Sequence, residues 1–201
     1  TDVELMFLDT ESMNSIESTP ALGDLDADGK KEIIFGSELG FVYCLSSAGQ
    51  LLWKFKCDGA VKGGITLRDI NGDGQLEVLF GSSDTYFYAL DSLGKLVWRH
   101  QCGAAIESTP AVVPHARLIV FGDNQGRINA ITFDCEPRWA YPTEGKVLAK
   151  PAVGALDGSA MTIVVGSVDN SLYALSEAGE LRWKYETEGA LVAEAELADL
   201  N

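Results

Sequence analysis

Basic residues are scarce: fifteen lysines and arginines stand against thirty aspartates and glutamates, a formal charge of −15. A nucleic-acid backbone or an anionic membrane surface is therefore repelled, and cations or basic partners are favoured. Long apolar runs are missing too. None approaches the roughly 20 residues of a membrane helix, and the first residues, TDVELMFLDT, lack the basic-then-apolar pattern of a signal peptide. The four cysteines (Cys44, Cys57, Cys102, Cys135) form no CxxC pair and have no histidine at ligand spacing, which excludes a zinc or redox motif. There is no GxSxG and no GxxxxGK[ST], and the only histidines, His100 and His115, fall at a strand end and in a loop with no catalytic setting. Nor does any stretch carry the apolar period of an amphipathic helix.

What is present is a repeat. Tryptophans stand at Trp53, Trp98, Trp139 and Trp183, with spacings of 45, 41 and 44. The runs EIIFG, EVLFG, LIVFG and TIVVG place Gly36, Gly81, Gly122 and Gly166 at the same spacings. A third run recurs as FVYCLS, YFYALD, RINAIT and SLYALS, and a Gly-bearing turn (SAGQ, SLGK, EAGE) leads from it to the tryptophan. In the third unit FDCEPRW puts Cys135 where the others have glycine. Each unit thus holds four short runs rich in β-branched and aromatic residues, bounded by Gly, Asp, Asn and Ser, the signature of strands joined by tight turns.

Four antiparallel strands in about 40–45 residues form the blade of a β-propeller. The chain is accordingly expected to be all-β, a propeller segment of about four four-stranded antiparallel blades within one partial domain over 1–201. The repeats fall near 17–56, 62–101, 106–142 and 149–186, with inner strands near 18–23, 63–69, 107–113 and 150–155. Tryptophans and tyrosines are expected to fill the apolar layer between blades. Cys57 and Cys102, at equivalent places in neighbouring units, are not expected to meet the short Cα separation a disulfide needs. VELMFL within 1–10 reads as the outer strand of a preceding blade, and 190–201 reads as the start of a following one. The expectation is a piece of a larger propeller, its open ends covered by the rest of that propeller or by self-association.

Two units write an acidic loop before the second strand, DLDADGKKE over 24–32 and DINGDGQLE over 69–77. The first offers the carboxylates of Asp24, Asp26 and Asp28, the carbonyl near Lys30 and a closing carboxylate, Glu32. The second offers Asp69, Asn71, Asp73, the carbonyl near Gln75, and Glu77. Hard oxygens at alternate positions, with Gly29 and Gly74 permitting the sharp turn, suit Ca2+, which takes 6–8 oxygen ligands at about 2.3–2.6 Å. An EF-hand loop closes on a glutamate at position 12, whereas these close at position 9 and enter a strand. A bare turn would need no such density of like charge, since the carboxylates repel unless a cation neutralises them. The third unit has lost the loop (VVPHARLIVFG) and the fourth keeps only Asp157 (GALDGSAMTIVVG), so metal is an addition to the blade.

DLDADGKKEIIFGS and DINGDGQLEVLFGS, each followed by a Tyr-bearing strand and a Gly-x-Leu-x-Trp-like strand, resemble the PQQ-like and FG-GAP β-propeller repeats. The resemblance spans essentially the whole chain. It implies calcium at the two acidic loops through the ten residues named above. In quinoprotein enzymes of this kind PQQ sits on the axis of a full ring, and no residues here match a PQQ site, so PQQ is not expected in this segment. The function that follows is a non-catalytic binding or scaffold module presenting loops to a protein or carbohydrate partner. The alternative is the propeller portion of an enzyme, either a PQQ-dependent dehydrogenase or a propeller-bearing hydrolase. Millimolar calcium and the resemblance favour a secreted or periplasmic setting, while four unpaired cysteines favour a cytoplasmic one.

Overall fold

The structure, a computed structural model, describes residues 15–197 apart from Asp157 and Ser159. The strand expected within 1–10 therefore lies outside the described residues, as do the single acid kept by the fourth unit and the last residues of 190–201. The first blade is built from β1 (Ala21–Gly23), β2 (Glu32–Gly36), β3 (Phe41–Leu45) and β4 (Leu51–Lys56). The second has β5 (Thr66–Arg68), β6 (Glu77–Gly81), β7 (Tyr86–Leu90) and β8 (Leu96–Gln101). The third has β9 (Ala111–Val113), β10 (Leu118–Gly122), β11 (Arg127–Thr132) and β12 (Pro137–Pro142). The fourth has β13 (Ala152–Ala155), β14 (Met161–Ser167), β15 (Ser171–Ser176) and β16 (Leu181–Glu186). Each blade is one sheet whose strands are hydrogen-bonded in chain order, every pair antiparallel. The described residues form no helix, so none is long and apolar enough to cross a membrane.

Burial of the second strands separates the first blade from the other three, since in the fourth blade Thr162–Ser167 of β14 are buried too. In the middle two blades the second strands, EVLFG and LIVFG, are buried along their whole length, because each is covered on both faces by a neighbouring sheet. In the first blade EIIFG alternates between buried and half-buried, as a strand covered on one face must. The outer strands are the most exposed, and in the fourth blade LRWKYE is exposed throughout. Three apolar clusters lie between the sheets. Ile34, Val42, Val78 and Phe80 join the first blade to the second; Leu79, Phe87, Ile119 and Phe121 join the second to the third; Val120, Ile128, Ile163 and Val165 join the third to the fourth. Fully burying one such side chain is worth about 1.5–3 kcal/mol.

The repeated glycines set the spacing at the inner end of these layers. A Cβ at Gly36 would lie 2.4 Å from Val61, at Gly81 2.1 Å from Ile106, and at Gly122 2.2 Å from Val147. The linker into each next blade thus seats an aliphatic side chain where the preceding strand has none. The same linker residues stitch the backbone: the Val61, Ile106 and Val147 amides donate to Ser37, Ser82 and Asp123 carbonyls of the preceding blade. The carbonyls just before them accept from Ser83, Asn124 and Val168 of the blade that follows. The run after Glu186 joins this scheme in part. Leu191 seats on Gly166 and donates to the Ser167 carbonyl, and Leu197 packs on Gly154, yet 190–197 forms no strand.

At the outer end the tryptophans do more than fill space. The indole nitrogens of Trp53, Trp98 and Trp139 donate to the carbonyls of Ser92, Phe133 and Glu177, each in the β-turn of the next blade, at 3.0, 3.1 and 2.8 Å. Buried indole N–H groups need such partners. A bulge between the third and fourth strands of every blade accompanies this arrangement, at Cys44/Leu45, Ala89/Leu90, Ala130/Ile131 and Ala174/Leu175. Cys135, in the turn position that is glycine elsewhere, adopts the same left-handed backbone, φ 70° against 76° at Gly94. All four cysteines are free thiols. Burial pushes the Cys44, Cys57 and Cys102 thiols up to about 12, which keeps them protonated and inert.

Candidate metal centre

The two acidic loops connect the innermost strand to the second strand in the first and second blades, at one end of the row of sheets. Each is anchored by an aliphatic residue between its first acids: Leu25 and Ile70 are buried, which pins the loop to the core while its polar residues face outward. In the first loop Ala27 and Gly29 turn the chain through the left-handed region, φ 59° and 83°; in the second Gly72 and Gly74 do so, both at 85°. This curls the backbone amides inward.

The carboxylates close on those amides. Asp24 accepts from the Asp28 and Gly29 N–H groups at 3.1 and 3.0 Å, Asp26 from the Asp28 N–H at 3.1 Å, and Asp28 from the Lys30 N–H at 2.7 Å. One carboxylate oxygen each from Asp24, Asp26 and Asp28 lies within 4.8 Å of the others. In the second loop Asp69 accepts from Gly72 and Gly74, Asn71 from the Asp73 N–H, and Asp73 from the Gln75 N–H, at 2.6, 3.0, 2.8 and 2.7 Å. The bond from the Lys30 amide holds Asp28 below its ordinary pKa, and the bond from the Gly72 amide does the same for Asp69.

Both loops contain a positive or donor group among the acids. Lys30 reaches Asp28 with its ammonium at 3.1 Å, and the bond to Asp28 raises the lysine pKa. In the second loop the Asn71 amide nitrogen donates to both Asp73 and Glu77, at 3.1 and 3.0 Å. These donors balance charge that a divalent ion would balance more fully. Ca2+ suits the first loop, where hard oxygens at alternate positions converge on one region; the second loop repeats their spacing on a turn already formed.

Glu32 and Glu77 have a role that the alternation of acids did not reveal. Each sits at the start of a second strand, only 4% and 2% exposed. One carboxylate oxygen accepts the Leu25 amide (2.8 Å) or the Ile70 amide (2.9 Å), seven residues earlier, and so ties the two ends of the loop together. Burial raises the Glu77 pKa above its ordinary value. The signal available in the sequence was the aliphatic residue after the first aspartate, DL in one loop and DI in the other. The Gln75 side chain turns away and accepts from the Ser92 hydroxyl at 2.7 Å, leaving only its backbone to the loop. In the third blade the corresponding connection is the tight turn Pro114–Arg117, whose guanidinium donates to the Ile70 carbonyl at the foot of the second acidic loop and pairs with Asp134.

The family profile of the outer membrane protein assembly factor BamB, one of PQQ-type repeats, matches residues 83–199. That is more than half of the chain. The chain belongs to this family. A second profile, the lambda-carrageenase β-propeller domain, matches residues 21–60, the first blade with its acidic loop. No curated protein matches the chain in sequence. Among solved structures it is similar to BamB from Moraxella catarrhalis, at 21% identity and a TM-score of 0.62 over 87% of this chain and 52% of that one. It is also similar to BBS1N in two complexes with ARL6DN. In the mercury-soaked form the identity is 12% and the TM-score 0.68, over 90% of this chain and 57% of that one. In the lead-soaked form the values are 14% and 0.66, over 92% and 57%. These likenesses establish the propeller fold, and this BamB-type chain spans little more than half the length of the structures it matches.

Proposed function

We propose that this chain is a non-catalytic propeller scaffold that binds a protein partner and whose first two blades are held by Ca2+. The convergence of Asp24, Asp26 and Asp28 on one region, fixed by the loop's own amides, is the observation that supports the metal. Bound calcium would supply the charge that lets three acids sit side by side. The residues would supply the rest: carboxylates from Asp24, Asp26, Asp28, Asp69 and Asp73, the carbonyls of Lys30 and Gln75, the second oxygen of Glu32, and, once the Asn71 side chain turns, its amide oxygen and the Glu77 oxygen to which its nitrogen now donates. Protein binding is supported by the company the fold keeps, an assembly factor and a propeller solved in complex with another protein.

Calorimetric titration of metal-free protein with CaCl2 tests the metal. Two sites are expected, with Asp26→Ala and Asn71→Ala each removing one, and the absence of both binding heat and any melting shift would reject it. A carbohydrate partner, in a propeller attached to a hydrolase, is the second reading, favoured by the match of the first blade to a carrageenase propeller. Binding of a sulfated galactan in the millimolar range or tighter would promote it over the first.

A further inference from the structure

The indole bonds repeat from junction to junction, but the space beside them is filled differently. Between the second and third blades it is closed by Arg117. Its guanidinium lies 5.0 Å over the Phe133 ring, donates to the Ile70 carbonyl at 3.3 Å and pairs with Asp134 at 3.5 Å. Between the third and fourth blades the His115 imidazole reaches the carboxylate of Glu177, which stands where Phe133 stands one repeat earlier. At the first junction the residues matching Ile70, Phe133 and Asp134 are Leu25, Ser92 and Leu93, and they line an open cleft of about 250 Å3. The position of Arg117, just before the second strand, is Leu76 in the second blade, and Leu76 packs on the first apolar layer instead.

Leu52 and Trp53 of the first blade also line this cleft, with Asp26 and Glu32 of its acidic loop; among the described residues no lysine or arginine does. Leu52 is 50% exposed and Leu93 63%. The third and fourth blades have Arg138 and Arg182 in place of Leu52, and Asp134 and Ala178 in place of Leu93. The Ser92 hydroxyl donates to Gln75, so the second acidic loop adjoins the cleft as well. Both walls belong to described blades that adjoin in the row.

We propose that this cleft, if the protein-binding reading holds, is where the partner docks, through a segment that sets an arginine beside a large apolar side chain. The arginine takes the place that Arg117 fills at the next junction and meets Asp26, while the apolar side chain covers Leu52 and Leu93. Charge selects the sign of the partner, because a cleft with two acids and no base, on a chain of charge −15, turns acidic segments away. Arginine suits it better than lysine: a planar guanidinium stacks on an aromatic ring, which Trp53 offers, and forks onto a carboxylate, which Asp26 offers. Size points to side chains, since small-molecule sites run to roughly 300–1,000 Å3. Interfaces draw most of their affinity from a few such anchors in pockets.

Fluorescence polarisation with a labelled peptide, phenylalanine between two arginines within glycine and serine, tests the site. Chelator is present, because Ca2+ would draw on the same Asp26 carboxylate. The peptide should bind, and forms with alanine for phenylalanine, or with glutamine for both arginines, should bind about tenfold more weakly. Leu52→Arg, which installs the fourth blade's residue, should fill the cleft from within and abolish binding while the melting temperature holds. Leu93→Ala and Asp26→Asn should each weaken binding several-fold. Leu181→Arg makes the same charge change on the fourth blade and should leave binding unchanged, which separates the cleft from bulk attraction to an acidic chain. No binding, or binding that ignores Leu52→Arg, would overturn the cleft. Columns of the parent and Leu52→Arg chains separate this failure from that of the broader reading. The same cell-extract proteins retained on both would overturn the cleft and leave protein binding standing; nothing retained on either would remove both.

Discussion

The first two blades and the third build the same sheet with different hairpins. In the former the inner strand reaches the second strand through eight residues dense in carboxylates; in the latter the four residues Pro114–Arg117 suffice. The position four residues before the repeated glycine makes the comparison sharper. It is Glu32, Glu77, Leu118 and Thr162 in the four blades, buried in each. Leucine or threonine satisfies the sheet there, so the buried glutamates serve the loop, where each accepts the backbone amide of its anchoring aliphatic residue. Strand and junction belong to the fold, and the acids belong to whatever the loops do.

The largest expected effects probe the part that the two halves share. Trp98→Ala and Trp139→Ala should each destabilise by about 3 kcal/mol, from lost packing and a lost indole bond. Chemical denaturation should find them within about 1 kcal/mol of each other, and a large inequality would mean that the junctions are not equivalent. Next comes calcium, which at a hundredfold excess over Kd should stabilise by about 2.7 kcal/mol per site. Asp26→Ala with Asn71→Ala should abolish that gain in a melting experiment, while His115→Ala, in the turn of the third blade, leaves it intact.

Glu77→Leu imposes the third blade's residue on the second. The strand should persist, and the stability loss of about 1–3 kcal/mol for an orphaned Ile70 amide should come with loss of the second calcium site. Loss of folding instead would break the division between sheet and loop. The smallest effect is alkaline. Cys44, Cys57 and Cys102 have thiols raised in the folded state from 9.0 to about 12. The unfolded chain releases their protons first, so stability is untouched below pH 9 and falls between pH 9 and 12. Cys57→Ala should flatten that slope, read from urea midpoints along the pH series.

The strands, their order and the outward tryptophans were legible in the sequence because each repeats in register, and repetition turns a weak local preference into a pattern. The acidic loops were legible as loops for the same reason. Two things were not. The indole bonds join residues 35–39 positions apart, and local alternation carries no trace of the partner. Glu32 and Glu77 looked like two more acids in a row, because burial at the start of a strand cannot be told from exposure at the end of a loop by residue type alone. The seating of Val61, Ile106 and Val147 on Gly36, Gly81 and Gly122 could have been found. These aliphatic residues keep the same period as the glycines, within the runs GAVKG, AAIES and GKVLA.

That seating also governs curvature. Sheets that lie closer at the inner edge than at the outer edge are wedges, and the sum of wedge angles decides how many fit around an axis. At Gly36, Gly81, Gly122 and Gly166 one missing carbon per blade lets the inner edges approach while the tryptophans hold the outer edges apart. A methyl group at those four sites would open the wedge, and a ring built from such blades would close with a different number of them.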